Sequence, residues 1–320
     1  MIELSVTPAE AAGILRRTHA IEAESLTPLG SELASTFLVS TATGRLAVKL
    51  QGSSSDEAPV QRWRADVAHR LSDRGQPVPA LIRAANGDAI AATTHRGAPV
   101  QVLAMEWIEA APYGTIDVPP GFGVALGHAA AHLQRDLLDM PRPPREIVHT
   151  WDSRHTARVI AEHLSRIDDG EVVAIGEAAL ALHERDISPV SHLLPVALVH
   201  QDLHDSNVLA TPSGEVAGII DFDDMLVGWR VAEPAIAAGY LARGSTDPVR
   251  ALQSVAEGWE SEVPFTDAER RAFPAIATVR LALNTVVWHA RMQSDRGAYA
   301  GARSRGSLAA FRVLADWLGA

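Results

Sequence analysis

His200-Gln201-Asp202-Leu203-His204-Asp205-Ser206-Asn207, followed fourteen residues later by Asp221-Phe222-Asp223-Asp224, is where the polar density of this 320-residue chain peaks. Apolar runs flank both clusters: Val196 to Val199 precede the first, Gly218-Ile219-Ile220 lead into the second, and Ser213-Gly214 marks a turn between them. The whole segment from Val196 to Asp224 therefore reads as a hairpin carrying loops. Carboxylates gathered in this way repel one another unless a cation compensates, and an oxygen-only set of Asp and Asn selects a hard ion such as magnesium. His200, Asp202 and His204, taken alone, are also a possible ligand set for a zinc hydrolase. That alternative has no use for Asn207, Asp221 or Lys49.

Upstream, the pattern is mostly strands. Thr7-Pro8-Ala9-Glu10 carries the start signals of a short helix running to about Arg17. Ser35 to Thr41 and Arg45 to Leu50, around Gly44, predict a hairpin with Lys49 near the end of its second strand. From Pro59 to Arg74, Val60, Trp63, Val67 and Leu71 form one helical stripe, which Gly75-Gln76-Pro77 ends. Asn86-Gly87 then predicts a turn between a strand near Leu81 and another over Val100 to Ile108. After Pro112, helical patterns dominate at 121–138, 151–166, 171–184, 231–243 and 267–293. The expectation is an α+β chain of two units, 1–105 and 106–320.

Composition narrows the function. With 47% hydrophobic and 21% charged residues the chain closes a real core. Its 39 acidic and 28 basic residues give a net charge of −11, so the electrostatic footprint for nucleic acid or anionic lipid is missing. The absence of cysteine removes disulfides, thiolate zinc sites and cysteine nucleophiles together. Met1-Ile2-Glu3-Leu4-Ser5 lacks the basic and apolar regions of a signal peptide, which leads to the expectation of a cytoplasmic protein without membrane partners. Among the 28 basic residues Lys49 is the single lysine, which points to a site that needs a compact ammonium rather than a guanidinium fork.

The spacing His-x-Asp-x-x-x-x-Asn, then Asp-Phe-x fourteen residues on, with a lysine on an upstream strand, matches the catalytic and metal-binding loops of kinases. With Arg74 to Pro79, Trp151-Asp152 and Arg230 to Ala237, it resembles the aminoglycoside phosphotransferase and choline kinase superfamily, most closely its hydroxylysine kinase-like branch. The resemblance implies a bilobal protein-kinase-like fold, with a small N-terminal antiparallel sheet lobe holding one main helix and a larger, mainly helical C-terminal lobe.

It also implies roles. Asp202 is similar to the catalytic aspartate that orients the acceptor hydroxyl and accepts its proton, with His200 bracing the loop. Asn207 and Asp221 correspond to the two magnesium ligands. Lys49 would hold nucleotide phosphates under the segment Leu29 to Phe37, which includes Gly30 and Ser31, and Asp66 or Gln61 would pair with Lys49. Ala104 to Trp107, with Met105 and Trp107, would meet the base. The implied reaction is transfer of the γ-phosphoryl group of ATP or GTP, with magnesium, to a small hydroxylated acceptor. A hydroxylysine-like amino acid is favoured; aminoglycoside, choline or ethanolamine, and homoserine are the rival acceptors, and a non-catalytic pseudokinase is the rival class. Residues 1–110 hold 12 acidic and 10 basic side chains, leaving 27 and 18 for the remainder, so the acidity concentrates where the acceptor is expected. A cationic acceptor is one reading, with Asp223, Asp224, Glu260 and Glu262 as candidates for its amine site; a solvated acidic surface explains the same count equally well.

Overall fold

The first helix, α1 (Pro8–His19), starts where its capping box places it, with Thr7 accepting from the Glu10 amide and the Glu10 carboxylate accepting from the Thr7 amide. The computed structural model describes residues 4–30, 34–292 and 306–319. They fall into two units, Met1–Glu109 with Pro141–Arg145, and Ala110–Met140 with Glu146–Ala320. The division thus lies at 109/110, beside the 105/106 expected from sequence. The 141–145 loop joins the first unit because Trp63 Nε1 donates to the Pro141 carbonyl (2.7 Å) and Arg145 Nε to the Asp56 carbonyl (3.4 Å).

In the first unit, β1 (Ser25–Leu29), β2 (Ser35–Thr41), β3 (Gly44–Gly52), β4 (Leu81–Ile82), β5 (Ala91–His95) and β6 (Ala98–Glu106) form one antiparallel sheet. Its order is β1-β2-β3-β6-β4, with β5 also on β6. Leu46, Val48 and Leu50 of β3 pack with Val102 and Ala104 of β6, Phe37 and Val39 of β2, and Ile14 and Leu15 of α1. By the two-residue period of a strand, Lys49 turns to the opposite face. On that face Leu103 and Met105 pack with Ala65 of α2 (Ala58–Asp73).

The second unit combines two small ribbons with a helical array. β8 (Val196–Val199) pairs with β11 (Leu226–Trp229), while β9 (Val208–Ala210) pairs with β10 (Val216–Ile219) and with β7 (Ala111–Pro112). Loop 200–207 runs from β8 to β9, and loop 220–225 runs from β10 to β11. Both loops therefore bridge the same two ribbons and lie side by side. Around them stand α3 (Phe122–Leu137), α4 (Thr156–Leu164), α5 (Gly170–Leu182), α6 (Ala232–Gly244), α7 (Pro248–Glu260), α8 (Asp267–Met292) and α9 (Ser307–Trp317). Gly127 of α3 and Gly258 of α7 meet so closely that a Cβ on either would stand 2.2 Å and 2.1 Å from the other helix's carbonyl oxygens. Among the described residues no helix is long and apolar enough to cross a membrane.

Candidate active site

The two loops of the second unit are tied together at their ends. Ile220 N–H donates to the Asn207 carbonyl (2.9 Å), extending the β9–β10 pairing and setting Asp221 beside Asn207. His200, fully buried, accepts the Asp202 amide at Nδ1 (3.3 Å), so Nε2 carries the hydrogen that meets the Ile220 carbonyl at 3.2 Å. Both ring nitrogens are thus engaged within the loops, which removes His200 from any zinc set. Burial holds its pKa down at about 4, so it braces the loops as a neutral ring.

Backbone strain marks the same place. Gln201 (φ 72°) and Asp221 (φ 64°) both occupy the left-handed region, uncommon for residues other than glycine. Gln201 is held there by its side chain, which donates to the Trp151 carbonyl (2.8 Å) and Ser153 Oγ (3.2 Å). From the start of α6, buried Glu233 accepts the His200 amide at 2.5 Å. Burial pushes its carboxyl up to about 8, against the pull of the His200 and Gln201 amides.

Asp202 stands at the centre. Its Oδ2 receives Asn207 Nδ2 (2.8 Å) and lies 3.2 Å from His204 Nε2, whereas Oδ1 meets Arg280 Nη2 at 3.4 Å. Burial alone would raise this carboxyl, yet His204 and Arg280 outweigh it and hold Asp202 well below the usual carboxylate range. In return, against the pull of burial, Asp202 shifts the His204 imidazole upward, while the Ser206 amide directed at His204 Nδ1 (2.9 Å) favours a proton on Nε2. Asp205 is fixed by Arg243 Nη2 (2.5 Å), which also stacks on Tyr240. Gly114 lies so close to Asp205 that a Cβ would approach its side chain to 2.9 Å.

For a metal, the donor chemistry fits magnesium. Asn207 spends its amide nitrogen on Asp202, which turns its oxygen elsewhere, and the backbone bond from Ile220 to the Asn207 carbonyl brings the neighbouring Asp221 to the same end of the ribbon. One amide oxygen and one carboxylate are a sparse protein set, as suits an ion that keeps waters and takes phosphate oxygens. Among the described residues no group of three or more His, Asp or Glu is arranged to hold a metal.

In the first unit Lys49 pairs across the sheet with Thr36 and Leu103. Asp66 is exposed on the outer side of α2 and forms no ion pair with Lys49. The stripe of Val60, Trp63, Val67 and Leu71 faces inward and turns Asp66 out. Gln61, its rival, is buried with its Oε1 accepting from Ser53 Oγ (2.6 Å). Met105 pairs with Ala47 and Leu81, and the Trp107 amide donates to the Arg45 carbonyl (3.1 Å), so both sit where β6 ends. Gly30, just after β1, is exposed, with open space where a Cβ would stand, and Ser31 lies outside the described residues.

Two of the four acidic candidates for an amine site are neutralised. Glu260 pairs with Arg270 (2.5 Å), and Glu262 with Arg135 (3.0 Å) and His132 (3.5 Å). Asp223 and Asp224 follow Asp221 in the turn Phe222–Asp224, and Asp224 too has a partner, His149 Nε2 at 3.4 Å. Sequence reasoning gave no role to Glu233 or Arg280. The signal for Arg280 was a lone charge between Val279 and Leu281 in an otherwise apolar helical stripe.

An antiparallel sheet unit joined to a helical unit, with these two loops bridging its ribbons, defines a kinase-like phosphotransferase fold. The solved structures agree. An amicoumacin kinase in complex with AMP-PNP and Ca2+ superposes with a TM-score of 0.71 at 16% identity, covering 96% of this chain and 92% of its own. A microcompartment-associated aminopropanol kinase gives 0.71 at 21% identity, covering 91% and 93%. Residues 25–273 match the model of the phosphotransferase enzyme family (APH), and the chain belongs to that family. In sequence it is similar to the hydroxylysine kinase of Danio rerio, 24% identical over 271 residues (80% of this chain, 76% of the relative). It is also similar to that of Mus musculus, 23% identical over 307 residues (88% and 81%). It is a small-molecule phosphotransferase whose acceptor group is a hydroxyl.

Proposed function

We propose that the protein transfers the γ-phosphoryl group of ATP or GTP to the hydroxyl of a small amine-bearing acceptor, a hydroxylysine-like amino acid in first place. The observation that carries this is the asymmetry at Asp202: Oδ2 is occupied by Asn207 and His204, while Oδ1 has a single contact at 3.4 Å on a side chain that is 20% exposed. A carboxylate held firmly at one oxygen and only lightly bonded at the other can orient a hydroxyl and take its proton. Phosphoryl transfer asks little covalent chemistry of the protein beyond such positioning and charge stabilisation. Asn207 and Asp221 would hold magnesium, which when bound neutralises charge on the nucleotide phosphates.

Lys49 is assigned to those phosphates, as the compact ammonium of β3 on the face away from the sheet's main core. Asp223 and Asp224 are assigned to the acceptor's amine. Support for the amino-acid acceptor comes from the hydroxylysine kinase relatives. A homoserine kinase of Gluconacetobacter diazotrophicus is 40% identical over 93 residues, 28% of each chain, and supplies the comparison acceptor.

The test is a turnover screen with ATP and GTP against hydroxylysine, homoserine, choline, ethanolamine, aminopropanol and an aminoglycoside, run beside Asp202→Asn. Hydroxylysine should give the highest kcat/KM, and Asp202→Asn should lose ~10² to 10⁴ in turnover while still binding nucleotide. No turnover with any acceptor despite tight nucleotide binding would favour the pseudokinase, and near wild-type turnover in Asp202→Asn would remove the catalytic assignment.

A further inference from the structure

Arg280 lies in the middle of α8 among Val279, Leu281, Ala282 and Leu283, and is 2% exposed. Taking a guanidinium out of water is costly unless its charge and its donors are met. Here they are met in part. Nη1 donates to the Trp151 carbonyl (2.7 Å), Cζ lies over the Trp151 ring (4.9 Å to its centroid) and 5.9 Å from the centroid of Tyr240, and Nε has no hydrogen-bond partner. Its acid contact is Asp202 Oδ1, through Nη2 alone, at 3.4 Å.

The same unit shows how this chain builds an ion pair for structure. Arg154 grips Asp152 through both carboxylate oxygens at 2.6 to 3.1 Å, and Arg230 grips Glu269 through both at 2.5 and 2.8 Å. Such fork-to-fork pairs use the guanidinium geometry fully. Arg280 does not: its fork is anchored on a backbone carbonyl and two aromatic rings, and one arm is held short of full contact with Asp202. The arrangement fixes a positive charge beside one carboxylate oxygen through a single contact of 3.4 Å.

Resting on the role proposed for Asp202, we infer that Arg280 is a positioning residue, which selects Oδ1 of Asp202 as the oxygen that meets the acceptor hydroxyl. The division is complete on the other side, where Asn207 and His204 occupy Oδ2. Trp151 links the two parts, since its carbonyl accepts from Arg280 and also from Gln201, the residue preceding Asp202. A shift of the Arg280 fork therefore moves the carboxylate relative to its own loop.

The experiment compares Arg280→Ala and Arg280→Lys with wild type and Asp202→Asn, reading kcat, acceptor KM, nucleotide Kd and thermal unfolding. Loss of orientation should lower kcat by ~10² in Arg280→Ala, with nucleotide Kd unchanged and acceptor KM changed far less than kcat. Added guanidinium ion should restore part of the lost kcat, whereas methylammonium should not. Arg280→Lys should stay impaired, because one ammonium cannot hold the Trp151 carbonyl and face Asp202 together. In the Asp202→Asn background either change should cost little more, since the two act as a unit.

Turnover within about twofold of wild type in Arg280→Ala, or losses that multiply with that of Asp202→Asn, would overturn the inference. Should Arg280→Ala not fold, Arg280→Lys carries the same comparisons. An inactive Asp202→Asn beside a silent Arg280 pair would overturn the role of Arg280 alone; an active Asp202→Asn would overturn the role of Asp202 itself.

Discussion

Glu233 shows how a single buried side chain is tuned by its surroundings. It stands at the start of α6, holds the amide of His200, and keeps its carboxyl proton up to about pH 8 in the folded chain, against an ordinary value of 4.5. Between those values the folded state carries a proton that the unfolded state has released, so this group's contribution to stability falls as pH rises. It is fully present below pH 4.5 and lost above about 8. Glu233→Gln, permanently neutral and nearly isosteric, should therefore flatten the dependence of melting temperature on pH across that window. A difference between wild type and variant that does not change with pH would mean that the carboxyl stays ionised. Lys49 is tested by Lys49→Arg, which keeps the charge but widens the head group. Nucleotide affinity and turnover should both fall, and an unaffected enzyme would return Lys49 to the surface of β3.

Among the elements, α7 depends on a contact no local signal reveals. It crosses α3 at Gly127 and Gly258, where backbone meets backbone and neither side can yield. Gly258→Ala or Gly127→Ala should cost ~1–3 kcal/mol or more through overpacking, read as a lower thermal unfolding temperature. Gly244→Ala, where a Cβ would meet open space, is the control and should leave stability nearly unchanged. Equal effects at all three positions would locate the cost in helix propensity instead. The missing strand of the first sheet has a similar cause. β5 (Ala91–His95) is built from small and polar residues, and its turn to β6 is made by Arg96 (φ 50°) and Gly97 (φ 82°), so a strand was expected only from Val100 onward.

For the whole molecule, the −9 balance of residues 111–320 bears on the acceptor. Glu260 and Glu262 are paired with arginine, so any attraction for a cation comes from the diffuse field of the unit as a whole. Amine acceptors should then outperform neutral polyols in kcat/KM at low salt. The preference should weaken as ionic strength rises and the screening length shrinks to ~8 Å near 0.15 M. A neutral or anionic acceptor favoured about tenfold at every salt concentration would remove the cationic acceptor while leaving the phosphotransferase in place. The division of work proposed for the two units has its own signature. Lys49→Arg should lower nucleotide affinity together with turnover, whereas Asp202→Asn should lower turnover with nucleotide still bound.

The sequence by itself determined the family and the residue types gathered in the two loops, because both depend on short fixed spacings. His200, Asp202 and Asn207 sit within eight residues, Asp221 follows a short hairpin, and strand and helix periods mark most elements to within a few residues. The tertiary structure decided everything that joins distant parts of the chain. The helical stripe of α2 places Trp63 inward, yet only the folded unit shows that this leaves Asp66 exposed and Gln61 bound to Ser53. Nothing local shows that Arg280 reaches a carboxylate 78 residues away, or that Glu233 holds the amide of His200. Buried charges are compensated by whatever packing brings to them, and packing is a property of the closed fold rather than of any window along the chain.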